Sequence, residues 1–225
     1  MKLGLLELRT LLSYYDHKEN IIVKRTLIAL AGALVAAGAL PALAASSLNV
    51  PVVAAAPSSS AGFSGGATAQ LSWNATDSRA TDGQPATASV ISDGKYLYVR
   101  FDASQTAPMI GSAGGDSVAI DLWPNGTSGD VYHYGVGLDG SRTTESTANT
   151  AGWESSVATR AGGYTVTMKI PMSVVSAGSS SQVQFSRWIA STGEAQVWAH
   201  SGGSSDVAQA GALTFASSVG AAGSQ

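Results

Sequence analysis

The side chains best suited to chemistry in this sequence are aromatic rings and carboxylates set among small residues. Five tryptophans each offer an electron-rich indole face on which the apolar C–H face of a pyranose ring can stack. Trp123 ends a run of alternating residues just before Pro124-Asn125-Gly126. A side chain there can stand on an exposed rim, so Trp123 is either a ligand platform or a packing residue of the core and loop. Trp188 directly follows Arg187 and carries the same two readings. Arg100, Arg187, Asp121 and Glu194 are the polar groups on hand for sugar hydroxyls, with Arg187 and Glu194 alternatively a buried or loop-bracing ion pair. Calcium needs several convergent oxygens. Asp116, Asp121 and Asp130 could supply them, although the sequence has no dense D-x-D-x-D loop.

Other chemistries find less support. Paired carboxylates hydrolyse glycosides, but the spacing of Glu154 and Glu194 indicates no shared cleft. His133 and His200 make no triad signal with the abundant serines, and no H-E-x-x-H metalloprotease motif is present. The absence of cysteine excludes thiol catalysis, Cys-ligated zinc, disulfides and a lipidated N-terminal cysteine. A formal net charge of -3 argues against a phosphate-tracking surface and hence against nucleic acid as a partner.

The elements that must position these residues read as strands. Charged residues are 12% of the chain, about half the usual share, and Gly, Ser, Ala and Thr take their place. That composition suits a β domain with a small polar outer face. Asp93-Gly94 is a two-residue hairpin signal, since both central positions of such a turn favour positive φ. Beyond it Leu97, Val99 and Phe101 point one way, and Tyr96, Tyr98 and Arg100 the other. Val118, Ile120 and Leu122 share a face in 116–123, as do Tyr132, Tyr134, Val136 and Leu138 in 130–138. Asp139-Gly140 marks another turn. Residues 153–172 read as a hairpin about Gly162-Gly163 with Tyr164, Val166, Met168 and Ile170 in its apolar row. Segments 182–188, 195–200 and 212–217 are the closing strands. Short alternating runs between turn residues predict an antiparallel β-sandwich, an all-β fold.

The N-terminal part reads as an export signal. Lys24-Arg25 precede an apolar stretch of roughly 14 residues, then Pro41 and an A-L-A box ending at Ala44, the layout of a cleaved signal peptide. The apolar run is short for a membrane span, so the mature chain begins near Ala45 with no span. Residues 1–22 carry Glu7, Asp16 and Glu19 where such signals lack acids. They are either a mis-called start, with translation beginning at Val23, or a disordered leader. Five basic and three acidic residues lie in 1–44, so the remainder holds seven basic and twelve acidic, a net of −5. The expected organisation is a signal at 23–44, a linker at 45–65, the sandwich at 66–217 and a flexible tail at 218–225. The expected location is the periplasm or the cell exterior.

Seven signatures stand in order along the mature chain: Asp93 to Val99, Asp116 to Asp121, Tyr132 to Gly140, Trp153 to Val157, Gly162 to Pro171, Phe185 to Arg187, and Trp198 with Gly211 to Phe215. Together the series resembles the family 9 carbohydrate-binding modules, the CBM9 or DOMON-like sandwich, over nearly the whole mature chain. The resemblance implies a sugar-binding module, often calcium-bearing, that accompanies xylanases and other polysaccharide-degrading enzymes and is not itself catalytic. It makes polysaccharides or oligosaccharides the expected partners, and it makes Trp73, Trp153 and Trp198 structural. The chain departs from the pattern at four places. Ala113 stands where sugar-binding members carry an aromatic, Ala119 and Thr167 where they carry glutamates, and Gly135 where a basic residue is common. Two alternatives remain open: a cell-envelope interaction sandwich that has lost sugar binding, and a DOMON-like haem domain. The second would draw its ligands from His133, His200, Met109, Met168 and Met172, of which Met168 reads as core.

Overall fold

The computed structural model describes residues 46–57, 63, 65–77, 79–81, 86–126, 130–145, 152–175, 181–199 and 210–216. The expected leader, signal segment and tail, and His200, lie outside these. In chain order the strands are β1 (Ser47–Val50), β2 (Ala67–Leu71), β3 (Trp73–Asn74), β4 (Arg79–Ala80), β5 (Ala86–Ser92), β6 (Tyr96–Ser104) and β7 (Ser117–Trp123). They continue as β8 (Tyr132–Gly137), β9 (Arg142–Glu145), β10 (Glu154–Arg160), β11 (Gly163–Pro171), β12 (Ser181–Ile189), β13 (Glu194–Val197) and β14 (Gly211–Phe215). A single helical turn, α1 (Met172–Val175), follows β11. No helix among the described residues is long and apolar enough to cross a membrane.

The β5–β6 hairpin shows how local sequence builds the sheets. Its pairing runs from Ala86↔Ala103 to Ser92↔Leu97. At the turn Asp93 Oδ1 accepts the N–H groups of Lys95 (2.9 Å) and Tyr96 (2.8 Å), and the Asp93 N–H donates to the Tyr96 carbonyl. Gly94 adopts φ +80°, which a side chain would resist. The turn is therefore centred on Gly94-Lys95, one residue later than expected. Asp93 closes it with its carboxylate instead of occupying its centre.

Five strands form one antiparallel sheet, ordered β10-β11-β6-β5-β2. The second sheet runs β4-β3-β13-β12-β7-β8-β9, with β14 added antiparallel to the start of β12 and β1 parallel to β14. Alternation along each strand fills the space between them. Val99 and Phe101 of β6 and Val166, Met168 and Ile170 of β11 join Ile120 and Leu122 of β7 and Val183 and Phe185 of β12 in one buried cluster. Phe101 and Phe185 meet edge to face across the sheets at 6.1 Å. Two antiparallel-dominated sheets closed on one core are a β-sandwich.

The first half of the expected linker belongs to this fold. Leu48 and Val50 of β1 are buried and Ser47 and Asn49 exposed, so a four-residue run alternates and adds a strand. Gly211 lets β1 and β14 close up, because a Cβ there would strike the Trp198 ring and come within 2.8 Å of the Ser46 carbonyl.

Candidate functional site

Strand β12 separates two functions by alternation. Val183, Phe185, Arg187 and Ile189 are buried and point inward, whereas Ser186 and Trp188 lie on the outer face. Trp188 is 38% exposed, one of two exposed large hydrophobic side chains among the described residues, the other being Met109. Its register partners are small: Ser117 on β7 and Ala195 on β13. The next row places Val197, Ser186, Ala119, Gly135 and Thr143 side by side on β13, β12, β7, β8 and β9. The result is a groove of about 470 Å³ across the outer face of the second sheet. Ser112, Gly114 and Gly115 wall one side and His133 lines the other. At Gly135 neighbouring side chains cover the floor, since a Cβ there would strike Thr143 Oγ1 and come within 3.0 Å of His133 Nε2.

Arg187, expected as a sugar contact or an ion-pair partner, is instead 1% exposed and lies behind the groove. Its Nε donates to Tyr164 Oη (3.0 Å), and its terminal nitrogens donate to Gln196 Oε1 (3.3 Å), the Ser104 carbonyl (3.1 Å) and Gln105 Oε1 (2.7 Å). Its guanidinium also sits over the Tyr164 ring. Burial pushes the Tyr164 phenol above its ordinary pKa, with the nearby guanidinium opposing that shift. Gln196 passes the link to Glu194, donating to Oε1 at 3.0 Å, so Arg187 and Glu194 are joined through an amide. Gln105, which sequence reading missed, donates to Asp116 Oδ2 at 2.7 Å. Asp116 also accepts the N–H groups of Ile110 (3.1 Å) and Ala190 (2.8 Å). This buried network ties β12 to the loop that walls the groove and to the turn beyond Trp188.

The other expected site residues scatter. Trp123 is 4% exposed, not on a rim. It shares the outward row of β7 with Ser117, Ala119 and Asp121, and burial deepens along that row from half-exposed to buried. Asp121 is buried with Oδ1 2.7 Å from His133 Nδ1. Its Oδ2 is buried with no hydrogen-bond partner among the described residues. Asp130 is exposed, and the structure does not gather it with Asp116 and Asp121. Among the described residues no group of three or more His, Asp or Glu could hold a metal ion. Arg100 lies on the other sheet, its guanidinium gripping Asp102 at 2.8 and 3.0 Å. Glu154 is on that sheet too, paired with Lys169 at 2.9 Å, and so apart from Glu194. Met168 is core, Met172 half-buried and Met109 exposed. The run Gly62–Gly66 has G-x-S-x-G spacing, but strand β2 follows it in place of the helix a nucleophile elbow requires.

Solved structures share this architecture. A carbohydrate-binding module of family 9 from Caldicellulosiruptor kristjanssonii in complex with glucose matches with a TM-score of 0.62 and 16% identity, over 76% of this chain and 97% of that one. The fold is that of the family 9 carbohydrate-binding modules. A CBM9 of the same organism in complex with cellotriose matches over 80% of this chain and 98% of that one, again at TM-score 0.62 and 16% identity. A candidate carbohydrate-binding protein from Bacteroides uniformis matches at 0.54 and 16%, over 76% and 100%. No family model matches the sequence, and no curated protein matches it. On this CBM9-like frame three of the four departures from the sugar-binding pattern converge. Ala119 and Gly135 are register partners in the groove floor, and exposed Ala113 lies between Ser112 and Gly114 of its wall. Thr167, the fourth, lies on the other sheet opposite Arg100.

Proposed function

We propose that the protein is an exported, non-catalytic carbohydrate-binding domain that holds polysaccharide, of xylan type, beside the glycoside hydrolases that degrade it. Trp188 carries this reading: an exposed indole standing in a groove whose floor is otherwise Gly, Ala, Ser, Thr143 and Val197. An indole face desolvates the C–H face of a sugar, and small floor residues let the ring approach the sheet. His133, Ser117, Ser186 and Thr143 supply hydrogen-bonding atoms around that ring, and Arg187 serves by holding the strand under Trp188. The buried Asp121 fixes Nδ1 of His133, so the imidazole enters the groove in one orientation. The sugar-bound CBM9 structures with the same fold support the ligand class.

The test is binding to a glycan array and to soluble xylan and β-glucan, followed by tryptophan fluorescence. Trp188→Ala is expected to weaken binding by about 1–3 kcal/mol, roughly five- to 150-fold, with far smaller effects on folding. Binding that is unchanged in Trp188→Ala overturns the platform assignment. A parent protein that binds no glycan favours the cell-envelope interaction sandwich.

A further inference from the structure

We infer that the protein forms a symmetric dimer in which strand β10 pairs antiparallel with β10 of a second copy, joining the two five-stranded sheets into one. Strand β10 ends the sheet order, with β11 on one side, and its residues Glu154, Ser156, Ala158, Thr159 and Arg160 are exposed. An edge of this kind presents a row of backbone N–H and C=O groups to any strand that can match it. Seven residues long, it is the longest edge strand among the described residues; β1, β2, β4 and β9 have four, five, two and four. Proteins commonly blunt such edges with proline, lysine, a bulge or an inward charge. The run from Glu154 to Arg160 contains no proline, glycine or lysine. Its register with β11 is unbroken from Glu154↔Lys169 to Arg160↔Gly163.

Backbone direction and charge together fix the partner and the register. The turn Ala161-Gly162, with Gly162 at φ +74°, closes on the Arg160↔Gly163 pair. In a two-residue hairpin that closing pair exchanges hydrogen bonds, so Arg160, Ala158, Ser156 and Glu154 direct their backbone groups toward β11. Thr159, Val157 and Ser155 therefore direct theirs to the open edge. Two copies of β10 centred on Val157 set Val157 against Val157 and Ser155 against Thr159, so each edge-facing residue meets another. The same register sets Glu154 of each copy against Arg160 of the other, and opposite charges placed so stabilise an antiparallel pair. A slip of one residue mismatches the backbone groups. A slip of two sets Glu154 against Ala158, or Arg160 against Ser156, and loses both ion pairs. Both charges are held on the outer face by their own chain, Glu154 by Lys169 at 2.9 Å and Arg160 by Thr165 at 3.0 Å. With side chains 67% and 47% exposed, they stay open to a second partner. On the inner face Val157, packed against the core, meets its own copy and carries the apolar layer across the seam. The Trp188 groove lies on the other sheet, so the dimer carries two.

The experiment is analytical ultracentrifugation of the whole mature protein at concentrations up to about 1 mM, with a thermal melt of each variant. A reversible dimer is expected. Glu154→Arg sets two arginines against each other at each end of the seam and is expected to weaken the dimer at least tenfold. Adding Arg160→Glu to that variant is expected to bring the affinity back to within threefold of the parent. Val157→Pro removes an N–H directed at the seam and none directed at β11, so it is expected to give a folded monomer. A protein monomeric throughout, a dimer unmoved by Glu154→Arg, or a loss that the added Arg160→Glu does not recover overturns the inference. So does a dimer retained by Val157→Pro when its melt shows it folded; where that variant fails to fold, the charge exchange decides alone. Trp188→Ala is expected to leave the dimer intact, and its loss there places the contact on the other sheet and overturns the inference too.

Discussion

Replacing Arg187 with methionine tests whether the charge behind the groove is structural. The side chain is 1% exposed and donates to four acceptors: the Tyr164 hydroxyl, Gln196 Oε1, the Ser104 carbonyl and Gln105 Oε1. Methionine fills much of the volume but leaves those acceptors without their donor in a buried setting. Stranding one side of a buried, hydrogen-bonded charge network costs about 3–5 kcal/mol, a large share of the roughly 5–15 kcal/mol that stabilises a domain. At about 2–4 °C per kcal/mol for a domain of this size, the melting temperature should fall by roughly 6–20 °C. Arg187→Lys should recover little of this, since an ammonium cannot reproduce a planar fork that reaches Tyr164 and Gln105 together. Thermal melts followed by circular dichroism, with urea titration for the free energy, read the effect. A loss below about 1 kcal/mol in Arg187→Met would refute the reasoning and return Arg187 to the list of ligand contacts.

Trp123→Ala should cost about 3–5 kcal/mol of stability by leaving a cavity, seen in urea titration, and a melting temperature unchanged by the substitution would place Trp123 on the surface after all. Deleting residues up to Val50 should cost about 3–6 kcal/mol, the burial of Leu48 and Val50 at about 1.5–3 kcal/mol each; a truncated protein of parental stability would restore the linker reading of this segment. Burial acts to raise the Asp93 carboxyl, but hydrogen bonds from the Tyr96 and Lys95 N–H groups and the Tyr98 hydroxyl outweigh it and hold the group below its ordinary 3.8. A depressed carboxylate contributes stability that is present above its unfolded value and lost as pH falls through its folded one. Stability measured from pH 5 to pH 2 should therefore fall less steeply in Asp93→Asn than in the parent, and parallel curves would refute this contribution.

The fold was legible because its information is local. Alternation in 96–101, 116–122 and 164–170 placed Phe101, Ile120 and Met168 inward without knowledge of any partner strand. The site was harder to read, for reasons visible at three residues. Trp123 and Trp188 both stand on the outer face of the second sheet, as alternation allows. What distinguishes them is how deeply each end of that face is buried, and period-2 patterning carries no information about cover. Arg187 could have been excluded on sequence alone, since it neighbours Trp188 in one strand and the two cannot face the same side. Gln105 was invisible because its role is to join Asp116 to Arg187, itself 82 positions further along the sequence from Gln105, and an amide leaves no charge pattern to notice. β1 was missed because four residues are too few for alternation to stand out beside proline and alanine.

The contrast between the two outer faces supports the proposed placement of binding on one of them. On the five-stranded sheet the exposed polar groups already satisfy each other. Arg100 grips Asp102, Thr165 donates to the same carboxylate at 2.8 Å and Arg160 donates to Thr165 at 3.0 Å. Lys169 pairs with Glu154 and lies 4.3 Å from the Tyr96 ring centre, and Tyr98 donates to Asp93. A ligand's polar groups could at best exchange those contacts for their own, and an exposed ionic contact is worth only about 0–1 kcal/mol. On the opposite face the outward positions of β7, β8 and β12 in the middle of the groove are Ser, Ala and Gly around Trp188, with the Asp121–His133 pair along one side, and Arg187, Gln105 and Asp116 sit behind the sheet, where they fix Trp188 and the groove wall. On the proposed function a sugar arriving there would displace water from an indole and from small floor residues. Pre-organisation of that kind lowers the cost of binding, so the charge buried with Arg187 and Asp116 would act on affinity through rigidity and not through contact.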